Sequence, residues 1–272
     1  MSLQVKVFKT TWGMTGSMEE QLEKIAAGGY EGVEGPMPSV EQTPLFRNLL
    51  EQYKLEYIPM IYTYDIAGSH VESFRQQLER AMSFSPKKVN AHSGKDWMSF
   101  AEKIEYFEHA LKIENELGAV VAHETHRGRA TFAARETYEL LQQLPELKLC
   151  ADFSHWVVVS ESLLEDQQQY LQLAMERTIH LHTRVGFAQG PQVPDPAAPE
   201  YANELEAHIS WWEQIYRLHH ARGEQEITID PEFGPPAYLH TLPYTQQPVA
   251  DLWDVTLWTA QLLRSRLANV KL

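Results

Sequence analysis

Three observations predict a single-domain (β/α)8 TIM barrel over residues 1–272. Eight short apolar runs alternate with longer stretches of helical spacing, the units share the chain evenly, and metal-capable side chains stand where several runs end. The 272 residues divided by eight give about 34 per unit, a length that suits a strand, a helix and two turns. A doubly wound open sheet usually carries fewer strands and often a Gly-rich phosphate turn, and the chain contains neither GxGxxG nor GxxxxGKS/T.

The runs fall near Gln4–Lys9, Gly32–Glu34, Tyr57–Tyr62, Lys88–His92, Ala119–Glu124, Leu147–Asp152, Thr178–His182 and Glu226–Asp230. Caps and faces place the helices between them. Ser17 with Glu20 three positions on reads as a capping box, for a helix that stops at Gly28-Gly29. Ser39 with Gln42 starts the second helix, with Pro44 suited to its first turn. Further helices are expected over Ser69–Phe84, Trp97–Leu117, Arg135–Gln143, Glu161–Glu176, Tyr201–Ala221 and Val249–Leu267, which makes eight. The long irregular stretch Gly186–Glu200, rich in Pro and Gly, follows the His182 run and is expected to cover the barrel mouth as a lid.

Composition narrows the partners. Hydrophobic residues at 43% and charged residues at 22% are ordinary for a globular chain. A formal charge of −14, with lysine and arginine only in short pairs, argues against nucleic acid. Cys150 is the sole cysteine, so no internal disulfide and no cysteine-based zinc site is available, and a cytoplasmic location is expected. No segment approaches the roughly 18 apolar residues of a membrane span, so no membrane partner is expected; a homo-oligomer is left open.

Four runs end on side chains that bind metals: Glu124 in VVAHETHRGR, Asp152 in LCADFSHW, His182 in IHLHTRVG and Glu232 in ITIDPEFGPP. Residues two apart on a strand share a face. Glu124 therefore goes with Ala122 and His126, Asp152 with Cys150, His182 with His180 and Arg184, and Glu232 with Asp230 and Thr228. The opposite face carries Val121, Ala151, Ile179, Leu181, Ile227 and Ile229, fit for packing on helices.

A carboxylate on the fifth run, Asp-x-x-His on the sixth (Asp152, His155), His on the seventh and Glu on the eighth resemble the xylose isomerase-like barrel superfamily. That group includes sugar isomerases and epimerases, inosose dehydratase, 3-dehydroshikimate dehydratase and endonuclease IV. The likeness to the ketose epimerase branch implies that Glu124, Asp152, His182 and Glu232 bind one divalent metal, that Glu124 and Glu232 exchange a proton with the substrate, and that His155 and Arg184 contact it. The endonuclease branch fits less well, because no Asp-x-His lies between His182 and Glu232.

Three carboxylates and one imidazole suit Mn²⁺ or Mg²⁺, with Co²⁺ or Zn²⁺ also compatible. Such an ion acidifies the C–H beside a carbonyl and stabilises the enediolate, after which the place of proton return decides between epimer and isomer, and loss of a β-hydroxyl gives dehydration. Arg127 and Arg129, just past Glu124, offer bidentate partners for a carboxylate or phosphate. Glu34, Asn90 and His92 end earlier runs and are further candidates for substrate contact, as is His126. His180 reads as a core or supporting histidine, and Asp230 as a group orienting a ligand from behind. Trp12, Tyr62 and Trp156 are candidates for an apolar wall; Trp211, Trp212, Trp253 and Trp258 read as core or interface, and Cys150 as buried and inert.

The sequence thus reads as a metal-dependent isomerase or epimerase acting on a small carbohydrate or sugar acid. A dehydratase of a cyclic polyol or keto acid stands second, and a barrel that binds sugar or metal without turnover third.

Overall fold

The alternating runs become eight parallel strands in a computed structural model, which describes residues 3–66 and 68–271. These are β1 (Gln4–Thr10), β2 (Gly32–Pro36), β3 (Glu56–Tyr62), β4 (Val89–His92), β5 (Val121–Glu124), β6 (Leu149–Ala151), β7 (Thr178–His182) and β8 (Glu226–Asp230). Each pairs with the next and β8 with β1, closing the barrel. The single domain expected over residues 1–272 extends past the described residues at both ends.

Register carries the inward face from strand to strand. Glu124 lies beside Cys150, Cys150 beside His180, His180 beside Thr228 and Thr228 beside Lys6. The outward positions Val7, Val33, Ile61, Ala91, Val121, Leu181, Ile227 and Ile229 are buried against the helices. The apolar core is therefore an annulus between strands and helices, while the lumen is largely polar. At the amino-terminal end of the strands, Lys6 pairs with Glu56 and, at 2.8 Å, with Glu226, which Lys87 also meets at 3.0 Å, so a charged cluster closes the floor.

Nine α-helices occur among the described residues: α1 (Met18–Ala27), α2 (Thr43–Tyr53), α3 (His70–Met82), α4 (Phe100–Leu117), α5 (Ala134–Gln143), α6 (Phe153–Ser160), α7 (Gln168–Arg177), α8 (Ala202–Ala221) and α9 (Leu252–Ala268). The Ser17–Glu20 box caps α1, which ends at Gly28 as expected. Ser39 and Gln42 do exchange hydrogen bonds at 3.3 Å, but α2 begins only at Thr43, with Pro44 in its first turn. α4 starts at Phe100 rather than Trp97, because Ser99 and Glu102 form the capping box.

The sixth unit departs most from expectation. Chain after β6 turns at once into α6, whose N-cap is Asp152 itself, its side chain accepting from Ser154 N. Glu161, in the left-handed region at φ 48°, ends that helix, so the helix expected from Glu161 starts at Gln168 as α7. The VVV of α6 is β-branched and hides the helix from a propensity reading; burial all round its first turns, Phe153 to Val157, overrides that local preference. No helix among the described residues is long and apolar enough to cross a membrane.

Candidate metal centre and substrate pocket

Strand ends at the carboxyl side of the barrel supply the candidate donors. Glu124 closes β5, His182 closes β7, Asp152 follows β6 as the cap of α6, and Glu232 stands two residues past β8. All four are at most 4% exposed. One donor atom from each lies within 4.8 Å of the other three. An ion bound at about 2.1–2.4 Å to oxygen and nitrogen donors requires separations of this size.

The chemistry of the set fits a cation. His182 Nδ1 lies 3.2 Å from Glu232 Oε2 and 3.5 Å from Glu124 Oε2, yet it has no hydrogen-bond partner, and Glu124 Oε1 is likewise buried without one. Lone pairs converging in this way repel unless positive charge lies between them. Burial penalises a charged His182, but the carboxylates of Glu34, Glu232 and Glu124 outweigh it and push its pKa well above the ordinary value. Burial pushes Asp152 up to about 6, against the pull of Arg184.

Arg184 brings a guanidinium inside this shell. At 1% exposure, its Nη2 pairs with Asp152, lies 3.3 Å from Glu232 Oε2 and sits 2.8 Å from His155 Nε2, while Nη1 has no partner. His155 is fully buried behind it, its ring 3.9 Å from that of His126. His155 therefore supports Arg184 instead of lining the pocket, where substrate contact was expected of it.

A cavity of about 510 Å³ opens above the donors. Trp12, Met60, Tyr62 and Tyr238 form its apolar side, and His92, His126, Arg129, Arg184 and Glu232 the polar one, so Arg184 borders the space where substrate contact was expected of it. His92 Nε2 stands 2.8 Å from Glu124 Oε2, so Glu124 meets the cavity through that imidazole. Burial lowers His126 well below the usual range, which keeps it neutral.

Several expected contacts sit elsewhere. Glu34 is enclosed by His180, His182 and Asn90 and does not border the cavity, because those side chains fill the lumen in front of it. Arg127 is exposed, its guanidinium 5.2 Å above the Tyr238 ring at the outer edge. Arg129 enters the cavity instead: Gly128 at φ 77° turns the chain back, and Thr63 O accepts from Arg129 Nη1 at 2.9 Å. Trp156 is buried, stacked on Phe153 at 4.9 Å. The Gly186–Glu200 stretch does not border the cavity either; Gln192 bonds Gly234 in both directions and Val193 N donates to Val185 O, pinning it to the β8 side. Tyr238, from the loop after β8, takes the wall position, and nothing periodic in its sequence announces it.

No sequence family matches the chain, and no curated protein matches it in sequence. Solved structures do. A probable 3-DHS dehydratase, AsbF, from Bacillus anthracis superposes with a TM-score of 0.62 at 18% identity, covering 95% of this chain and 98% of that one. D-allulose 3-epimerase from Methylomonas sp., in complex with D-allulose, gives 0.61 at 12% identity over 98% and 100%. A xylose isomerase-like TIM barrel protein from Mycobacterium smegmatis, in complex with magnesium, gives 0.60 at 12% over 97% and 98%. The chain therefore shares with these proteins the fold of a closed eight-stranded (β/α)8 barrel.

Proposed function

We propose that the protein is a divalent-metal-dependent, cytoplasmic enzyme that moves a proton at the carbon beside a carbonyl of a small carbohydrate or sugar acid, as an epimerase or isomerase. The observation that carries this reading is that Glu124 and Glu232 belong to one shared donor cluster, with Glu232 bordering a largely apolar cavity. Glu124, Asp152, His182 and Glu232 would hold the ion, Mn²⁺ or Mg²⁺ before Co²⁺ or Zn²⁺. When bound, the ion supplies a Lewis acid that polarises the carbonyl and acidifies the neighbouring C–H.

The chain's own groups do the rest. Glu232, which borders the cavity, takes the proton from carbon. On the other side His92, backed by Glu124, returns one, to the opposite face for an epimer or to the adjoining carbon for an isomer. Trp12 and Tyr238 meet at 4.9 Å edge to face and give the apolar face of a sugar a surface to rest on. The dehydratase reading stands second, supported by Arg129: its Nη1 is held by Thr63 O, and the remaining edge of its guanidinium is available to an acidic substrate.

The test is deuterium uptake from D₂O, followed by NMR in the presence of Mn²⁺ over a panel of ketoses, aldonic acids and cyclic keto acids. Solvent exchange without change in ultraviolet absorbance is the expected result, and Glu232→Gln should lower it at least about 100-fold, within the usual range for removing a general base. New absorbance without exchange of starting material would favour dehydration. A Gln variant of undiminished rate would remove Glu232 from the proposed role.

A further inference from the structure

Beneath the four donors runs a second set of polar side chains that the cavity does not reach. Glu34, fully buried on β2, receives His180 Nε2 at 2.7 Å on one oxygen, and His182 Nε2 at 2.9 Å and Asn90 Nδ2 at 3.0 Å on the other. Behind it, His180 Nδ1 meets Thr228 Oγ1 at 2.8 Å and Thr228 O at 3.0 Å. Thr228 Oγ1 in turn receives Lys88 Nζ at 2.9 Å, and Lys88 also donates to Ile179 O at 2.8 Å. A continuous chain of hydrogen bonds therefore links the barrel floor to His182.

One donor direction satisfies every link from Lys88 to His182, and only the 3.0 Å approach of His180 Nδ1 to Thr228 O lies outside it. An ammonium can only donate, and burial lowers Lys88 to about 8, which leaves it charged at neutral pH. Thr228 Oγ thus accepts from Lys88 and passes its own hydrogen to His180 Nδ1. The proton of the neutral His180 ring is then on Nε2, donated to Glu34. A carboxylate offers acceptors alone, so the second ring reaching it, His182, must also present Nε2–H. That turns His182 Nδ1 towards Glu124 and Glu232, the direction a metal ligand needs once an ion displaces the proton those carboxylates favour there.

We propose that Glu34 is a positioning residue: held by the Lys88–Thr228–His180 chain, it fixes the ring orientation and tautomer of His182 so that Nδ1 is turned to the donor cluster. The consequence for ion affinity rests on the metal reading given above; the tautomer does not. Glu34 thus has an assignment distinct from the substrate contact expected of it.

Two measurements test this on the full chain. Calorimetric titration with Mn²⁺ reads affinity, and ¹⁵N NMR of the histidine rings in metal-free protein, followed to alkaline pH where His182 gives up its second proton, reads the tautomers. In Glu34→Gln an amide presents one acceptor and one donor where the two ring N–H groups arrive on different oxygens, so one ring must reverse. Altered His180 or His182 ring signals are expected, together with Mn²⁺ binding about 10–100-fold weaker. A folded Glu34→Gln protein with wild-type affinity and unchanged ring signals overturns the proposal. Should that variant fail to fold, Thr228→Val, similar in volume and lacking the hydroxyl, decides the matter: an unchanged His180 signal overturns it, and a reversed one supports it. Wild-type protein that takes up no Mn²⁺ while His182 shows the Nε2–H form would sink the metal reading and leave the positioning role standing.

Discussion

His208 shows how a single buried side chain couples the fold to pH. It is fully buried on α8, with Nδ1 donating to Glu204 O at 2.7 Å and Nε2 accepting from Gly186 N at 3.3 Å, so neither nitrogen has room for a second proton. Burial holds its pKa at about 4, below the value near 6.5 of an unfolded chain. The unfolded state therefore takes up the proton first: stabilisation by the neutral ring is complete above about pH 6.5 and is lost as pH falls towards 4. Melting temperatures measured from pH 8 to pH 4 should drop across that window, and His208→Gln should show a shallower drop. Equal slopes for the two proteins would assign the acid sensitivity to other groups.

Residues also mark where sequence reasoning succeeds and where it stops. Glu124, Asp152, His182 and Glu232 could be brought together on paper because alternation along a strand fixes which face a side chain takes. Alternation does not say what stands in front, and so Glu34, on the correct face, was expected at the substrate although His180 and His182 cover it. Arg129 depends on the turn at Gly128, a backbone event with no periodic signature.

At the scale of elements, the informative departure is α6. Its amino-terminal turn carries Asp152, and two bonds from Ser154, N at 3.1 Å and Oγ, orient the carboxylate. The chain leaving β7 packs directly on this turn: a Cβ at Gly186 would fall 2.8 Å from both Ser154 Cβ and Ser154 O. Gly186→Ala should therefore displace the turn, costing about 1–3 kcal/mol in urea unfolding and weakening Mn²⁺ binding as Asp152 moves. Stability and affinity both at the wild-type level would show that the turn yields without disturbing the carboxylate. This contact escapes the sequence because Asp152–Ser154 and Gly186 are brought together only when β6 and β7 pair. The lid expected of the same segment fails for a related reason, since Gln192 and Gly234 find each other only in the closed barrel.

For the whole molecule, the alternation of eight runs was legible because each unit repeats the same pattern, while the additional helix α6 was not, being short and rich in β-branched residues. Ion binding should be felt globally. Three carboxylates and an imidazole converge from four different strand ends, so a cation that joins them binds the folded chain and not the unfolded one. Added Mn²⁺ should raise the melting midpoint, with about 2.7 kcal/mol of stabilisation at a concentration 100 times the dissociation constant, and EDTA should reverse the gain. A midpoint indifferent to both would argue against the shared site.

The charged cluster at the barrel floor carries a kinetic corollary. Lys6, Glu56, Glu226 and Lys87 tie the amino-terminal ends of the strands together, and Lys88 spans the lumen just above them. With that end shut, traffic runs through a single doorway: a guest leaves by the route it entered, and its successor waits. Reactant and product then vie for one vestibule, and inhibition between them should be strictly competitive.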